Sequence, residues 1–334
     1  MSKEQKLSDS LVAWFYKNAR KMPWRVIGGA HPNPYEVWIS EIMLQQTTVK
    51  TVESYFLKWI KRFPTIESLA NADIEEVLLY WQGLGYYTRA RKIHECAKVL
   101  VEKYNSIIPS EREELLKLPG IGPYSASSIL AFSYNKPETV VDGNVIRVIA
   151  RLYGIEKPIT KDEIYNLAIP LTHQTHGADY ASAIMDLGAT ICTPQKASCL
   201  LCPWQKECLA HKKGIVDKIP QIKKPEKKYF NGFVHIIKNK DGKYFIQKRT
   251  EKGLLNGLYE FPWTKEEKPL FKDKWEYGSK KISHTFTHFH LTLTPLLLLK
   301  NDMPQKDGFY VDKNEFKQYP FSTLMKKVIK LIAD

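Results

Sequence analysis

Along the first two-thirds of the chain, apolar residues recur with a helical period. Val49, Val52, Phe56, Trp59, Ile60 and Phe63 share one side of a helix, with Lys50, Glu53, Lys58 and Lys61 on the others. The same period predicts helices at 74–81, 89–104, 110–117, 124–134, 143–152, 161–171 and 178–190, separated by short Gly- and Pro-bearing turns. From about residue 229 the period drops to that of a strand. "FVHIIKNKDGKYFIQKR" reads as two strands joined at Asp241-Gly242, "SHTFTHFHLTLTPL" alternates cleanly, and "FSTLMKKVIKLIA" closes the chain as an amphipathic helix. Between the two regimes, "KKGIVDKIPQIKKPEKK" holds seven lysines against Asp217 and Glu226 and reads as an exposed linker, or more pointedly as a strap along phosphate. The pattern predicts a helical domain over 1–211, a basic linker over 212–228 and an α+β domain over 229–334.

Composition narrows the partners. Lys and Arg exceed Asp and Glu by 14, which favours a polyanion, nucleic acid first and an anionic membrane second. No apolar run reaches the roughly 18 residues that span a bilayer. The start, "MSKEQKLSDSLVAWF", has neither the apolar stretch nor the cleavage site of a secretory signal. The expectation is a soluble, monomeric cytoplasmic protein, nucleoid-associated in a bacterium. Cys96 stands alone, whereas Cys192, Cys199, Cys202 and Cys208 crowd one segment, which favours metal binding over disulfides. Four thiolates so closely spaced can surround one centre, and by chemistry alone zinc and a [4Fe–4S] cluster are both open.

Three further stretches carry chemistry. In "LKLPGIGPYSASSIL", Pro119, Gly120 and Gly122 form a hairpin whose amides, leading into a helix, would face an anion; an ordinary helix corner is the plain alternative. In "VVDGNVIRV", Asp142 precedes a helix start and would serve as its N-cap, or as a carboxylate aimed at a sugar. In "PYEVWISEIMLQQTTV", Glu41 lies among Val37, Trp38, Ile39, Ile42 and Met43. Apolar neighbours raise a carboxyl pKa and suit a general acid, although a satisfied structural Glu would look the same.

Taken together these motifs resemble a family. The uneven cysteine spacing is similar to the cluster loop of the endonuclease III superfamily. "PYEVWISEIMLQQTTV", "WQGLGYYTRAR", "LPGIGPYSA" and "MDLGATIC" resemble the adenine DNA glycosylases in order and over essentially the whole chain. The resemblance implies a mostly α helix-hairpin-helix core, a [4Fe–4S] loop held by Cys192, Cys199, Cys202 and Cys208, and a C-terminal α+β nudix-like domain. It implies a monofunctional glycosylase that flips adenine out of duplex DNA opposite 8-oxoguanine or guanine. Glu41 matches the acid that protonates adenine N7, Asp142 the carboxylate that stabilises the sugar cation, and Asn144 their support. Trp24 and Arg25 match residues near the base pocket, and Gln46 and Tyr86 the wedge around the mispair. Leu84, Gly120 and Gly122 fall to DNA contact, and Lys196 and Lys206 lie in a loop near DNA. Tyr124 stands where strand-nicking relatives carry lysine, and a phenol cannot form a Schiff base.

The C-terminal part adds expectations of the same origin. Phe286, Thr287 and His288 match the loop that contacts 8-oxoguanine. "GLYEFPW" resembles the strand entering a nudix box, but the acidic metal-binding run is missing after it, so hydrolysis is not expected. His284, His288 and His290 share strand parity and could in principle bind metal. Three departures stand out: Thr287 where many members have Ser, Ser182 where members carry Glu or Gln, and an extended "VIGGAHPNP" with no assigned role. The competing classes are a pyrimidine-specific glycosylase/lyase, a non-catalytic DNA-binding protein and a nucleotide hydrolase. Tyr124, retention of both carboxylates, and the missing acidic run argue against each in turn.

Overall fold

Local signals start most helices where the periodicity puts them. Ser2, Asn33, Thr48, Thr65, Asp73, Asp142, Thr160 and Ser322 each accept a backbone N–H of the helix they cap. The computed structural model describes all residues except 29–30, 222–225, 252, 303–306 and 333–334. Its helices are α1 (Lys3–Asn18), α2 (Pro34–Leu44), α3 (Val49–Arg62), α4 (Ile66–Ala70), α5 (Ile74–Trp81), α6 (Thr88–Tyr104) and α7 (Arg112–Leu116), then α8 (Pro123–Tyr134), α9 (Gly143–Leu152), α10 (Lys161–Ala168), α11 (Gly177–Thr190), α12 (Leu209–Lys212) and α13 (Thr323–Leu331). No described helix is long and apolar enough to cross a membrane.

The chain divides into two compact units, one of Met1–Asn71 with Glu95–Lys223, the other of Ala72–His94 with Lys224–Asp334. In the first, Leu11, Phe15, Ile149, Leu171, Leu187 and Trp204 build a core from α1, α9, α11 and the cysteine loop. Helix α2 is buried on nearly every face, including Glu41, as expected of a helix apolar all round. It packs against α8, whose buried Ser125, Ala126, Ser127 and Ser128 are small enough for close approach. The first half of the 212–228 stretch is anchored to the core although its lysines stay exposed: Ile219 is 2% exposed, Ile215 and Val216 pack on the same core, and Arg151 donates to the Ile219 carbonyl at 2.9 Å. The apolar Ile-Val-Ile spacing outweighs the lysines there. Residues 222–225 of that stretch lie outside the described residues.

The second unit is a mixed sheet of β1 (Lys228–Lys238), β2 (Tyr244–Lys248), β3 (Tyr259–Glu260), β4 (Glu276–Tyr277), β5 (Ile282–Thr285), β6 (Phe289–Leu299) and β7 (Gly308–Val311). The order is β3-β2-β1-β6-β4, with β5 beside β6 and β7 beside β2. β1 and β6 run parallel from Lys228↔Phe289 to Lys238↔Leu299, while the other pairs are antiparallel. The Asp241-Gly242 turn forms where the sequence places it, with Gly242 at φ +82°. Residues 72–94 come from the helical part of the sequence yet bond into this unit. Glu75 pairs with Lys248 at 2.6 Å and accepts from Tyr259, and Gln82 donates to the Phe321 carbonyl at 2.9 Å.

"SHTFTHFHLTLTPL" is a hairpin rather than one strand. Phe286 donates to the Phe289 carbonyl at 2.8 Å, leaving Thr287 and His288 as a two-residue turn. The turn inverts the parity: His284 faces Leu291 and His290 faces Thr285, so the two histidines occupy opposite sides of the ribbon. The shared parity expected of His284, His288 and His290 is therefore lost. Among the described residues, no group of three His, Cys, Asp or Glu is arranged to hold a metal ion.

Candidate active site

A cleft of about 1120 Å³ opens in the first unit, lined by Trp24, Arg25, Glu41, Gln46, Tyr124, Asp142, Asn144 and Ser182 among others. Residues far apart in sequence thus meet in one place. Glu41, 7% exposed on α2, is pushed up to about 7, chiefly because burial disfavours its charged form; the neighbouring Asp142 carboxylate adds to this. Nearby hydroxyls and Arg25 pull the other way. Tyr124 on α8 donates to Glu41 Oε2 over 3.4 Å, and burial pushes its own phenol well above the usual range. The Ser128 hydroxyl is buried and meets no strict hydrogen-bond geometry. Its influence on Glu41 is that of a close neighbour.

Asp142 both caps a helix and lines the cleft. Oδ1 caps α9 by accepting the Val145 amide at 2.8 Å, while Oδ2 accepts from Asn144 Nδ2 at 3.0 Å. Arg147 donates to Asn144 Oδ1 at 2.9 Å and to the Gly188 and Cys192 carbonyls at 2.7 Å each. The carboxylate is thus fixed through a network reaching the start of the cysteine loop. Trp24, 6% exposed, packs edge-on against Phe56 at 5.2 Å. Sequence reasoning passed over Arg147 and Asp186; both sit inside quoted motifs, and only their buried partners reveal them.

The expected DNA-facing positions differ among themselves. Gln46 and Tyr86 are exposed and both hold left-handed backbone, at φ 66° and 46°. For residues with a Cβ this conformation is strained and clusters at functional positions. Tyr86 is hydrogen-bonded to Thr287 within the second unit. Thr287 and His288 are exposed at their turn, with Phe286 stacked on Phe289 at 4.6 Å. Leu84, by contrast, is turned inward and only 6% exposed. In the hairpin, Gly120 takes φ +79°, but Gly122 is an extended N-cap at φ −100° with open space where a Cβ would stand. Of the two glycines, only Gly120 takes a positive φ.

Cys192, Cys199, Cys202 and Cys208 line one small cavity of about 30 Å³ with Arg151, Gln205 and His211. Arg151, 1% exposed, donates to Cys192 Sγ at 3.4 Å and to the Thr193 carbonyl at 2.7 Å. Burial pushes the thiols of Cys199, Cys202 (to about 12) and Cys208 up. Buried thiols of this kind ionise when a cation compensates them. Among the described residues they form no ready ligand set for a metal ion. Four thiols on one cavity fit the donor set of an iron–sulfur centre.

Comparison with known proteins agrees with this geometry. Residues 39–171 match the HhH-GPD superfamily of base excision DNA repair proteins, and residues 233–331 match the NUDIX domain. The chain is 37% identical over 314 residues to an adenine DNA glycosylase of Buchnera aphidicola, covering 87% of this chain and 86% of the relative. It resembles a thermostable thymine-DNA glycosylase with a TM-score of 0.57 at 27% identity, over 63% of this chain and 98% of that one. A trapped covalent complex of endonuclease III with DNA gives a TM-score of 0.54 at 25% identity, over 64% and 100%.

Proposed function

The chain belongs to the adenine DNA glycosylases and is a base-excision DNA glycosylase; from that premise we propose that it removes adenine opposite 8-oxoguanine or guanine, without cutting the strand. The observation that carries the reading is the buried Glu41 carboxyl, raised to about 7, beside Asp142 in one cleft. A buried carboxyl that holds its proton toward neutral pH, with a second carboxyl lining the same cleft, is what acid-assisted glycosidic cleavage requires. The flipped adenosine enters the cleft, at an unstacking cost of about a few kcal/mol. Glu41 donates its proton to N7, so that adenine leaves neutral as the C1′–N9 bond breaks; Asp142 faces the resulting sugar cation, which water captures at C1′, giving up a proton and leaving an abasic site. Asn144 holds Asp142 Oδ2 in place.

Tyr124 supports the absence of strand scission. It lines the cleft where a nucleophile would stand, but a phenol that burial keeps protonated offers no amine for a Schiff base. The hairpin grips phosphate through backbone amides at the start of α8, where the open space over Gly122 admits a ligand. Phe286, Thr287 and His288 contact the opposite base. Cys192, Cys199, Cys202 and Cys208 would hold a [4Fe–4S] cluster, which, when bound, ties the loop carrying Lys196 and Lys206 into a fixed shape. Iron and acid-labile sulfide at four atoms each per chain support this; stoichiometric zinc in colourless protein refutes it.

The decisive experiment is single-turnover reaction of duplexes with adenine opposite 8-oxoguanine or guanine, with and without alkali. Strand breaks only after alkali are expected. Efficient cleavage without alkali, with stoichiometric borohydride trapping, would overturn monofunctionality. Release of thymine or another base in place of adenine would overturn the substrate.

A further inference from the structure

One buried charge cluster at the cleft is not used by the reaction as described. Asp186 on α11 is fully buried and accepts four hydrogen bonds: from the Arg20 amide (3.0 Å), Arg20 Nε (2.8 Å), Arg20 Nη2 (2.6 Å) and Arg25 Nη1 (2.7 Å). Arg20 is the outer partner, with 31% of its side chain exposed, and Arg25 the inner one, with 10%. Arg25 also lies over the Phe15 ring at 5.6 Å and donates to the Arg20 carbonyl at 3.3 Å. Arg20, Arg25 and Glu41 line the cleft, whereas Asp186 lies outside its lining. The Asp186 carboxylate thus holds Arg25, a residue of the cleft lining, without lining the cleft itself.

The groups facing Glu41 set what this does. They are Arg25 from the segment after α1, Tyr124 and Ser128 on α8, and Asp142 at the start of α9, while Lys50 and Glu53 of α3 line the same cleft. Arg25 is the cation among those acting directly on Glu41. A guanidinium beside a buried carboxyl favours the ionised form and invites an ion pair. An acid caught in that pair has no proton to give. A carboxylate bonded to the same guanidinium fixes its position and offsets part of its charge.

We propose that Asp186 is a positioning residue for base removal: by pinning Arg25 and offsetting its charge, it lets Glu41 enter the reaction as an acid rather than as the ion-pair partner of Arg25. This rests on the reading of Glu41 as the acid. Loss of Asp186 uncovers the charge of Arg25 and releases its guanidinium toward Glu41, and both effects stabilise the Glu41 carboxylate through Arg25.

The test is the pH dependence of single-turnover adenine release from an 8-oxoguanine·adenine duplex, for wild type, Asp186→Asn, Arg25→Gln and the double variant. In Asp186→Asn the alkaline fall in rate moves to lower pH, so the rate drops about tenfold at high pH for each pH unit moved and much less at low pH. Arg25→Gln moves the fall to higher pH, and adding Asp186→Asn to it produces no further shift, because the effect travels through Arg25. A loss spread evenly over pH in Asp186→Asn, or an added shift in the double variant, overturns the proposal. Should Asp186→Asn fail to fold, as judged by circular dichroism and duplex binding, an unmoved profile in Arg25→Gln overturns it instead. Glu41→Gln separates the two ideas: an active Glu41→Gln sinks the acid reading. An inactive one, with a wild-type profile in Asp186→Asn, sinks only the role of Asp186.

Discussion

Burial keeps the Glu41 proton in place toward neutral pH, and the same burial opposes folding once that proton is lost. The sign follows from the folded value of about 7 against the usual 4.5. Below about 4.5 the carboxyl is neutral in both states, and its burial costs little. As pH rises toward and through 7, the unfolded chain ionises first and the folded state loses stability relative to it. Glu41→Gln removes that penalty. It should abolish adenine release, keep duplex binding, and exceed wild type in stability by up to about 3 kcal/mol at pH 8, a margin that shrinks by pH 5. Denaturant unfolding at the two pH values measures it; an equal margin at both would mean that folding leaves the proton affinity of Glu41 unchanged. Asp142 follows a different logic, because one oxygen already caps α9. Asp142→Asn keeps that cap and should leave stability within about 1 kcal/mol while base release fails. A variant that releases adenine normally would show that only the cap matters.

The starts of α8 and α9 border the cleft that holds these carboxyls. The hairpin before α8 separates backbone demand from ligand demand within a few residues. At Gly120, φ +79° penalises any Cβ, so Gly120→Ala should destabilise the fold by about 1 kcal/mol or more. At Gly122 the backbone is ordinary and the space open, so Gly122→Ala should leave the melting temperature unchanged and weaken duplex binding. Equal effects of the two changes on melting would sink this division. Helix α9 carries Asp142 at its start and Arg147 one turn on, where the guanidinium serves Asn144 and the carbonyls of Gly188 and Cys192. Arg147→Met strands those acceptors in a buried place and should cost at least about 2 kcal/mol in unfolding experiments. A near-neutral result would mean that water replaces the guanidinium.

Over the whole molecule, the excess of 14 positive charges sets how strongly binding responds to salt. Phosphate contacts release counterions, so affinity for undamaged duplex should fall about a thousandfold or more between roughly 50 and 200 mM salt if six or more phosphates are engaged. A shallow slope in a binding titration would limit DNA contact to a few phosphates. Charge alone does not locate those contacts. The lysines of 212–228 looked like one connector in sequence, yet its first half belongs to the first unit's core around Ile219.

The sequence alone determined the helical and strand regimes, the cap at Asp142, and the four residue sets with candidate chemistry. These depend on local periodicity, on side chains acting on their own backbone, and on residue types that have few uses other than chemistry. Glu41 and Asp142 were legible for that reason, as were the clustered cysteines. Tertiary structure alone decided what depends on partners distant in the chain. The parity of 282–299 turned on whether two residues make a bend, and the alternating pattern is the same on either side of it. Residues 72–94 read as one more helical stretch, but Glu75, Gln82 and Tyr87 find their hydrogen bonds in the strand-rich unit. Asp186 looks in sequence like any acidic residue of a helix. Only the fold brings Arg20 and Arg25, more than 160 residues earlier, to the same carboxylate, because burial of a charge is settled by what packs around it.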